Sequence, residues 1–272
     1  MIIDTSSFLR IPSEAQTEPE VAPSGDPKFT IITACRNNAA TIEECVESVA
    51  QQTLGNVEHV VVDSHSQDDS IERIYSSRKR LSIVYGSSSD NRFQAWNRGI
   101  GQAAGDVVGF VNADEALANP DVLKQVAKAF EDPWTSAVYG DILCVDPRNA
   151  SHVVRQNQLG PVTAHKLARG WVPPTSSLFV RKSWYRRIDG FSPRMRTTAD
   201  YAATLRLFSY PFFNAVYLGE PVIRQRITPP SFRQLRRALI APMEELQALR
   251  AARVGGWHSL VWNRLSRIEQ WL

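Results

Sequence analysis

The chain has 272 residues, of which 43% are hydrophobic, and this content suffices for a sizeable core and excludes a disordered or fibrous protein. Its formal net charge is +3, with a pI of about 8.8. That mild excess argues against a protein whose binding is dominated by nucleic-acid phosphates, so no nucleic-acid partner is predicted.

The three cysteines, Cys35, Cys45 and Cys144, are too few for a disulfide framework and lack the close spacing of zinc ligands. A cytoplasmic location is therefore expected. The N-terminus lacks the features of a signal peptide, and no stretch approaches the roughly 20 apolar residues of a membrane span. Any membrane association is therefore expected to be peripheral.

The chain divides by composition into three parts. Residues 1–27 are rich in Pro, Glu, Ser and Thr without apolar periodicity, which predicts a flexible leader. Residues 28–228 alternate short apolar runs with helical segments, the pattern of an α/β domain, with a nucleotide-binding half at 28–146 and an acceptor half at 147–228. Residues 229–272 are predicted to form amphipathic helices.

The nucleotide-binding half contains five apolar runs that are followed by polar residues. These runs predict strands at Phe29–Ala34, Val57–Val62, Leu81–Tyr85, Val107–Val111 and Ala137–Val145. We expect them to form a mostly parallel mixed sheet flanked by helices.

Helix signals lie between these runs. Thr41 and Glu44 have the spacing of a capping box, Phe93–Ala103 reads as a helix, and Pro120 suits a first helical turn. In the acceptor half, Trp171–Val180 reads as a loop leading into a strand and Asp200–Phe208 as a helix.

In open α/β sheets ligands gather at the carboxyl ends of strands, so the polar residues there are the candidate site. They are Thr33–Asn37, Asp63–Asp69 and Asn112–Glu115. The first turn, Cys35–Asn38, is not glycine-rich, which argues against a P-loop, a dinucleotide fingerprint and a sugar-phosphate nucleotidylyltransferase.

The carboxylates at these positions each have two interpretations. Asp63 either accepts a hydrogen bond from a nucleotide base or caps the next turn. Asp114 and Glu115 either bind a divalent cation or form an ordinary acidic loop. Asp200 is either a general base or a residue that caps the following helix.

Two arginines and the C-terminal segment also have alternatives. Arg92 and Arg206 either contact phosphates or are solvated surface side chains. The aromatic stripe that includes Trp257, with Trp262 and Trp271 nearby, either contacts a membrane surface or packs on the domain or on a second copy in a homodimer.

The order and spacing of several short segments are more specific than any one of them. These segments are Ile31–Asn38, Val60–Ser70, Ala95–Ile100, Gly105–Glu115, Tyr139–Asp141, Pro173–Lys182, Gly190–Phe191 and Ala199–Tyr201. Together they resemble the family 2 glycosyltransferases, specifically the bacterial branch that builds exopolysaccharide and other cell-surface glycans.

This resemblance implies a GT-A fold and a Mg²⁺- or Mn²⁺-dependent, inverting transfer of sugar from a UDP- or GDP-sugar to a glycan or polyprenyl-diphosphate-linked acceptor. The transfer would occur at the inner face of the cell membrane. Asp200 would be the catalytic base, and Asp114 and Glu115 would hold the metal. The remaining candidates bind the donor (Thr33, Cys35, Asn37, Asp63, Ser66, Arg92, Asn97 and Asp114) or lie on the acceptor side (Trp171, Thr175 and Arg206).

Several positions depart from the family pattern. Ser64 and His65 replace glycines, Glu115 replaces an aspartate, and Thr175 lies where close relatives often have histidine. Gln94 stands in a segment where relatives carry a carboxylate. These departures keep a second hypothesis open, in which the chain is a catalytically degenerate nucleotide-sugar-binding or scaffold subunit of a polysaccharide-assembly complex.

Overall fold

The structure, a computed structural model, describes residues 27–77, 81–227 and 232–252, and for 232–240 only the backbone. Its strands are β1 (Phe29–Cys35), β2 (Val57–Asp63), β3 (Ser82–Tyr85), β4 (Val107–Phe110), β5 (Glu115–Leu117), β6 (Ala137–Val145), β7 (Val153–Asn157), β8 (Leu178–Arg181) and β9 (Ala215–Arg226). Its helices are α1 (Ile42–Ala50), α2 (Ser70–Ser76), α3 (Arg92–Gln102), α4 (Val122–Ala129), α5 (Ala164–Ala168), α6 (Lys182–Arg187), α7 (Ala199–Phe208) and α8 (Phe232–Ala251).

The strands form one mixed sheet in the order β3-β2-β1-β4-β8-β6-β9-β5, with β7 paired to β6. Parallel pairing joins β1, β2, β3 and β4 to one another and β6 to β9. Strands β8, β5 and β7 pair antiparallel. The predicted mixed α/β sheet is confirmed: the parallel strands β1 to β4 lie within residues 28–146, and the parallel β6–β9 pair reaches into residues 147–228.

The five predicted strands all form, with ends that differ by at most one residue from the sequence-based bounds. The predicted loop before β8 and the predicted helix α7 are also present. Strands β5, β7 and β9 were not predicted, since β5 is very short and β7 and β9 lie largely half-exposed without regular alternation.

Two predicted helix starts need correction. Thr41 is the N-cap of α1, but the predicted capping box does not form: the Thr41 hydroxyl donates to the Asn38 carbonyl, and Glu44 pairs with Arg226 on β9. Helix α4 begins at Val122 rather than at Pro120. A capping box that the sequence analysis did not single out lies at α3, where Asn91 and Gln94 exchange side chain to backbone hydrogen bonds.

A cluster of buried aromatic side chains fixes α3 against the segment that precedes α7. Trp96 packs on Phe110 with ring centroids 4.6 Å apart and on Phe191 at 5.1 Å. Tyr185 closes the cluster against Phe191 at 5.7 Å. Because these rings are buried, the first turn of α3 and the segment leading to α7 have a defined relative position.

The described end of the chain packs on α7. Ala248 and Leu249 of α8 are buried against Tyr201 and Leu205. These two residues of α8 are therefore packed on the domain. The predicted leader, apart from residue 27, and the Trp257–Trp271 stripe lie outside the described residues, as do residues 228–231. Within the described ranges, no helix has the length and apolarity needed to cross a membrane.

Candidate active site

The loops after β1 and β2 are held together by hydrogen bonds at the carboxyl ends of these strands. The Asn37 backbone N–H donates to Ser66 Oγ at 3.0 Å, and the Gln67 N–H donates to Asn37 Oδ1 at 2.8 Å. Asn37 and His65 both adopt left-handed backbone conformations, with φ of 56° and 58°. His65 thus stands at a position where glycine would relieve strain, as the family pattern suggested.

Asp63 lies at the base of this pair of loops and is 2% exposed. Its carboxylate accepts hydrogen bonds from the N–H and the hydroxyl of Ser66. These contacts are those of the turn-capping interpretation. They leave acceptor capacity on the carboxylate, since two carboxylate oxygens together accept about four hydrogen bonds.

Thr33 and Cys35 do not present their side chains at the open edge of the sheet. Thr33 is fully buried, and its hydroxyl lies 3.0 Å from His59 Nε2 and 3.5 Å from Cys45 Sγ. Burial, with a smaller contribution from Asp63, raises the pKa of the Cys35 thiol to about 11. The predicted direct contact of Thr33 with the nucleotide is therefore corrected, because alternation along β1 turns this side chain toward α1.

The Asn112–Glu115 stretch places its two carboxylates in different environments. Asp114 is exposed, whereas Glu115 is the first residue of β5 and is 2% exposed. Glu115 accepts hydrogen bonds from the Asn112 N–H at 3.2 Å and from Gln225 Nε2 at 3.1 Å. Burial and then the neighbouring Asp114 raise the pKa of Glu115 to about 7.

This carboxylate pair fits a hard divalent cation in part. Asp114 offers exposed oxygens, and Glu115 adds a carboxylate whose ionised form is disfavoured by burial and by Asp114 and would be stabilised by a cation. Among the residues that the structure describes, no group of three or more His, Cys, Asp or Glu side chains forms a candidate metal site. Mg²⁺ is commonly held by one or two carboxylates together with substrate phosphates, so a metal held by Asp114 and Glu115 would need further oxygens from a donor.

Residues of β9 that the sequence analysis did not identify support this stretch. Gln225 pairs with Glu115 across β5 and β9, and an Arg226 guanidinium N–H donates to the Asp114 carbonyl oxygen at 3.5 Å. Arg226 also forms an ion pair with Glu44 of α1. The acidic stretch is therefore fixed from a strand about 110 residues further along the chain.

Arg92 and Asp200 form an ion pair between two helix starts, with Arg92 Nη2 2.5 Å from Asp200 Oδ2. Both are in the first turns of their helices, α3 and α7, and both are partly exposed, at 41% and 26% of their side chains. The Arg92 charge also acts on Glu115, where it lowers the pKa. The structure thus brings together a cation, the predicted base and the acidic stretch.

Asn97 has a structural role instead of the predicted contact with the donor. Its amide donates to the Phe191 carbonyl at 2.7 Å, and its carbonyl accepts the Phe191 N–H at 2.9 Å. Gly190 adopts φ of 61°, and a Cβ there would come 2.4 Å from Asn97 Oδ1. Both polar groups of Asn97 therefore bond to the backbone of Phe191. This contact gives a structural reason for the Gly190-Phe191 segment of the family pattern.

The predicted acceptor residues do not form one cluster. Trp171 packs against Lys166, with Nζ 4.5 Å from the ring centroid. Thr175 is buried, and its hydroxyl lies 3.1 Å from that of Thr204 on α7. Arg206 donates to the Ile188 carbonyl at 3.0 Å near the end of α7, roughly 9 Å along the helix axis from Asp200. Its prediction as a phosphate contact is not supported by this position.

Comparisons with known proteins identify the family of the chain. The profile of Glycosyl transferase family 2 matches residues 30–208. A PGL/p-HBAD biosynthesis glycosyltransferase of Mycobacterium bovis is 29% identical over 200 residues, covering 71% of this chain and 74% of that protein.

Two solved structures share the fold. S. aureus TarS 1–349 in complex with UDP-GlcNAc has a TM-score of 0.66 and 20% identity, covering 83% of this chain and 65% of that one. Mannosyltransferase PcManGT from Pyrobaculum calidifontis, in complex with GDP-Man and Mn²⁺, has a TM-score of 0.62 and 22% identity, covering 88% and 68%. The mixed sheet with flanking helices is thus the GT-A fold. Because the profile spans more than half of its residues, the chain belongs to glycosyltransferase family 2.

Proposed function

We propose that the chain is an inverting glycosyltransferase that moves a sugar from a UDP- or GDP-sugar to a glycan or polyprenyl-diphosphate-linked acceptor. The observation that carries this proposal is the Arg92–Asp200 ion pair, found together with an Asp114-Glu115 pair that follows the parallel strand β4. The donors bound to TarS and PcManGT, UDP-GlcNAc and GDP-Man, support a nucleotide sugar as the donor class.

The nucleotide lies, in this proposal, along the joined loops after β1 and β2. The rigid turn formed by Asn37, Asp63 and Ser66 offers backbone and carboxylate groups to a base. Buried Thr33 and Cys35 form the wall beneath that turn. The diphosphate then reaches Asp114, and the anomeric carbon faces Asp200.

Transfer proceeds by a single displacement. The acceptor hydroxyl oxygen attacks the anomeric carbon, Asp200 accepts the hydroxyl proton, and the bond from that carbon to the phosphate oxygen breaks. The nucleoside diphosphate leaves with the electron pair, and the anomeric configuration inverts. Asp114 and Glu115 would hold Mg²⁺ or Mn²⁺, which neutralises the leaving diphosphate when bound.

Arg92 connects the donor and the base. In the structure its guanidinium neutralises Asp200, so the carboxylate is engaged before a donor arrives. A diphosphate carries more charge than one carboxylate and forms strong charge-assisted hydrogen bonds with guanidinium groups. We propose that Arg92 moves from Asp200 to the donor phosphates, which frees Asp200 for the acceptor hydroxyl.

The proposed location is the inner face of the cell membrane, in bacterial surface polysaccharide synthesis. Peripheral membrane contact through 231–272 and a homodimer are parts of the proposal that still need a test. Co-sedimentation of the full chain and of a chain ending at residue 252 with anionic liposomes tests the contribution of the last 20 residues. Equal binding by both chains would contradict a membrane role for that segment.

Thermal shift and product release together test the proposed reaction. Each of UDP and GDP is added with and without MnCl₂, and we expect one nucleotide to raise the unfolding midpoint in a metal-dependent way. The Asp114→Asn variant should lose the metal-dependent part, whereas Asp132→Asn, an exposed aspartate that precedes β6, should keep it. Release of the nucleoside diphosphate from a matching sugar donor then shows catalysis. Binding with no release from any donor and acceptor would favour the degenerate subunit and contradict this proposal.

A further inference from the structure

Glu244 of the C-terminal helix binds the backbone just before α7. Its two carboxylate oxygens accept the N–H groups of Arg196, Thr197 and Thr198, each at 2.9 Å, and the Thr198 hydroxyl at 3.1 Å. Glu244 is 9% exposed, so these hydrogen bonds are largely shielded from water. One side chain thus satisfies four donors at the entrance to the helix that carries Asp200.

These contacts lie at the entrance to α7, because Arg196 and Thr197 precede the helix and Thr198 is its N-cap residue. The first N–H groups of an α-helix lack partners within the helix and are usually satisfied by the side chain of the N-cap residue. Thr198 is the N-cap of α7, but its side chain makes no capping bond and donates to Glu244 instead. The start of α7, two residues before Asp200, is therefore held from α8.

The hydrogen bonds favour the ionised form of Glu244. Burial alone would raise its pKa, but the three backbone N–H groups and the Thr198 hydroxyl outweigh burial and hold the pKa below its ordinary value. A carboxylate at this position also interacts favourably with the positive end of the α7 dipole. The negative charge of Glu244, as well as the size of its side chain, thus contributes to the contact.

Helix α8 is itself anchored close to Glu244. Ala248, one helical turn further along α8, and Leu249 are buried against Tyr201 and Leu205 of α7. The Tyr201 hydroxyl in turn donates to the Gly170 carbonyl at 2.7 Å. The residue after Asp200 is therefore fixed on the same side from which Glu244 acts.

We propose that Glu244 is a positioning residue for the transfer reaction, which orders the first turn of α7 so that Asp200 faces the acceptor hydroxyl. This inference rests on the proposed function, because it assigns to Glu244 a role exerted through the proposed base. In this proposal the described part of α8 packs on the domain and also helps to position the active site.

The test compares Glu244→Gln with Met243→Ala, a neighbouring side chain that is 69% exposed. Glutamine keeps the size of Glu244 but presents an amide N–H₂ to donors that need an acceptor. Misplacing a catalytic group by about 1 Å can cost on the order of 100-fold in rate, so we expect kcat to fall at least about 10-fold. The KM for the donor should stay within about twofold, since the nucleotide loops are not touched. Met243→Ala should retain wild-type kcat and KM.

A double-mutant cycle separates positioning from general destabilisation. If Glu244 acts through Asp200, then Glu244→Gln should lower kcat in the wild type but have little further effect in the Asp200→Asn background. An equal loss in both backgrounds would overturn the inference. Unchanged kcat in Glu244→Gln, together with a large loss in Asp200→Asn, would overturn this inference alone. Wild-type turnover by Asp200→Asn would overturn both the proposed base and the inference.

A milder variant covers the case in which Glu244→Gln does not fold. Thr198→Val removes one of the four hydrogen bonds to Glu244 and leaves the backbone donors in place. We expect a smaller loss of kcat with unchanged donor KM, and again no further loss in the Asp200→Asn background. Wild-type kcat in a folded Thr198→Val variant would count against the role of this contact.

Discussion

His59 is a histidine that the fold keeps neutral beneath the nucleotide loops. It lies on β2, is 3% exposed, and its Nε2 is 3.0 Å from the Thr33 hydroxyl. Burial lowers its pKa from 6.5 to about 4. Replacing His59 with glutamine removes the titrating group and retains an amide that can bond to Thr33.

The lowered pKa predicts a loss of stability in acid. Above about pH 6.5 the histidine is neutral in both folded and unfolded chains, so it adds no pH dependence. Between about pH 6.5 and 4 only the unfolded chain binds the proton, so the free energy of unfolding falls as the pH falls. At 1.36 kcal/mol for each pKa unit, the full loss from this one group is about 3 kcal/mol.

Urea unfolding at half-unit steps from pH 7.5 to 4.5 measures this effect. We expect the His59→Gln chain to be less stable at pH 7, through lost packing, but to lose less stability than the wild type as the pH falls. His152→Gln, at an exposed position, should follow the wild-type pH profile. Equal slopes for His59→Gln and the wild type would refute the reasoning.

Three further variants test single contacts. Gly99→Ala places a Cβ 2.4 Å from a buried isoleucine of β1, so urea unfolding should show a free energy of unfolding lower by about 1–3 kcal/mol. Gly101→Ala, on the same helix, meets nothing within 4 Å and should raise that free energy by about 0.5–1 kcal/mol. Equal effects of the two variants would contradict the close packing at Gly99. Asn97→Ala should lower the free energy of unfolding by about 2 kcal/mol, because it loses two hydrogen bonds to the backbone. Calorimetry of the folded variant should give an unchanged Kd for the nucleotide. A large rise in that Kd would show that Asn97 contacts the donor after all. Arg92→Ala should raise the Kd for the nucleoside diphosphate about 10-fold or more and also lower kcat, because it removes a charge-assisted phosphate contact; an unchanged Kd would show that the Arg92–Asp200 pair is only structural.

The parallel part of the sheet could be predicted because its strands are short apolar runs that end on polar residues. The edge of the sheet formed by β5 and β9, near the acidic stretch, could not be predicted. Glu115 pairs with Gln225 about 110 residues away, and neither β5 nor β9 has a regular apolar pattern. Pairing of this kind depends on the whole chain, and local sequence carries little signal for it.

For the candidate site, the resemblance named positions along the chain but could not give the directions of their side chains. Alternation along β1 could have shown that Thr33 shares the face of Ile31, which packs in the core beside α1. No local pattern could have shown that Arg92 meets Asp200, because the two are 108 residues apart and belong to different helices. The contact of Glu244 with the backbone before α7 has the same long-range origin, since its partners lie 46 to 48 residues earlier.

The central claim is that Asp200 removes the proton of the acceptor hydroxyl, whereas other residues bind the sugar donor. Its most direct measurement is single-turnover transfer from the competent nucleotide sugar by the wild type, Asp200→Asn and the control Asp132→Asn. We expect the Asp200→Asn rate to fall about 100-fold or more and the control to keep the wild-type rate. The donor should bind Asp200→Asn at least as tightly as the wild type, because loss of the Asp200 charge leaves Arg92 free for the donor phosphates. A wild-type transfer rate in a folded Asp200→Asn chain would contradict it.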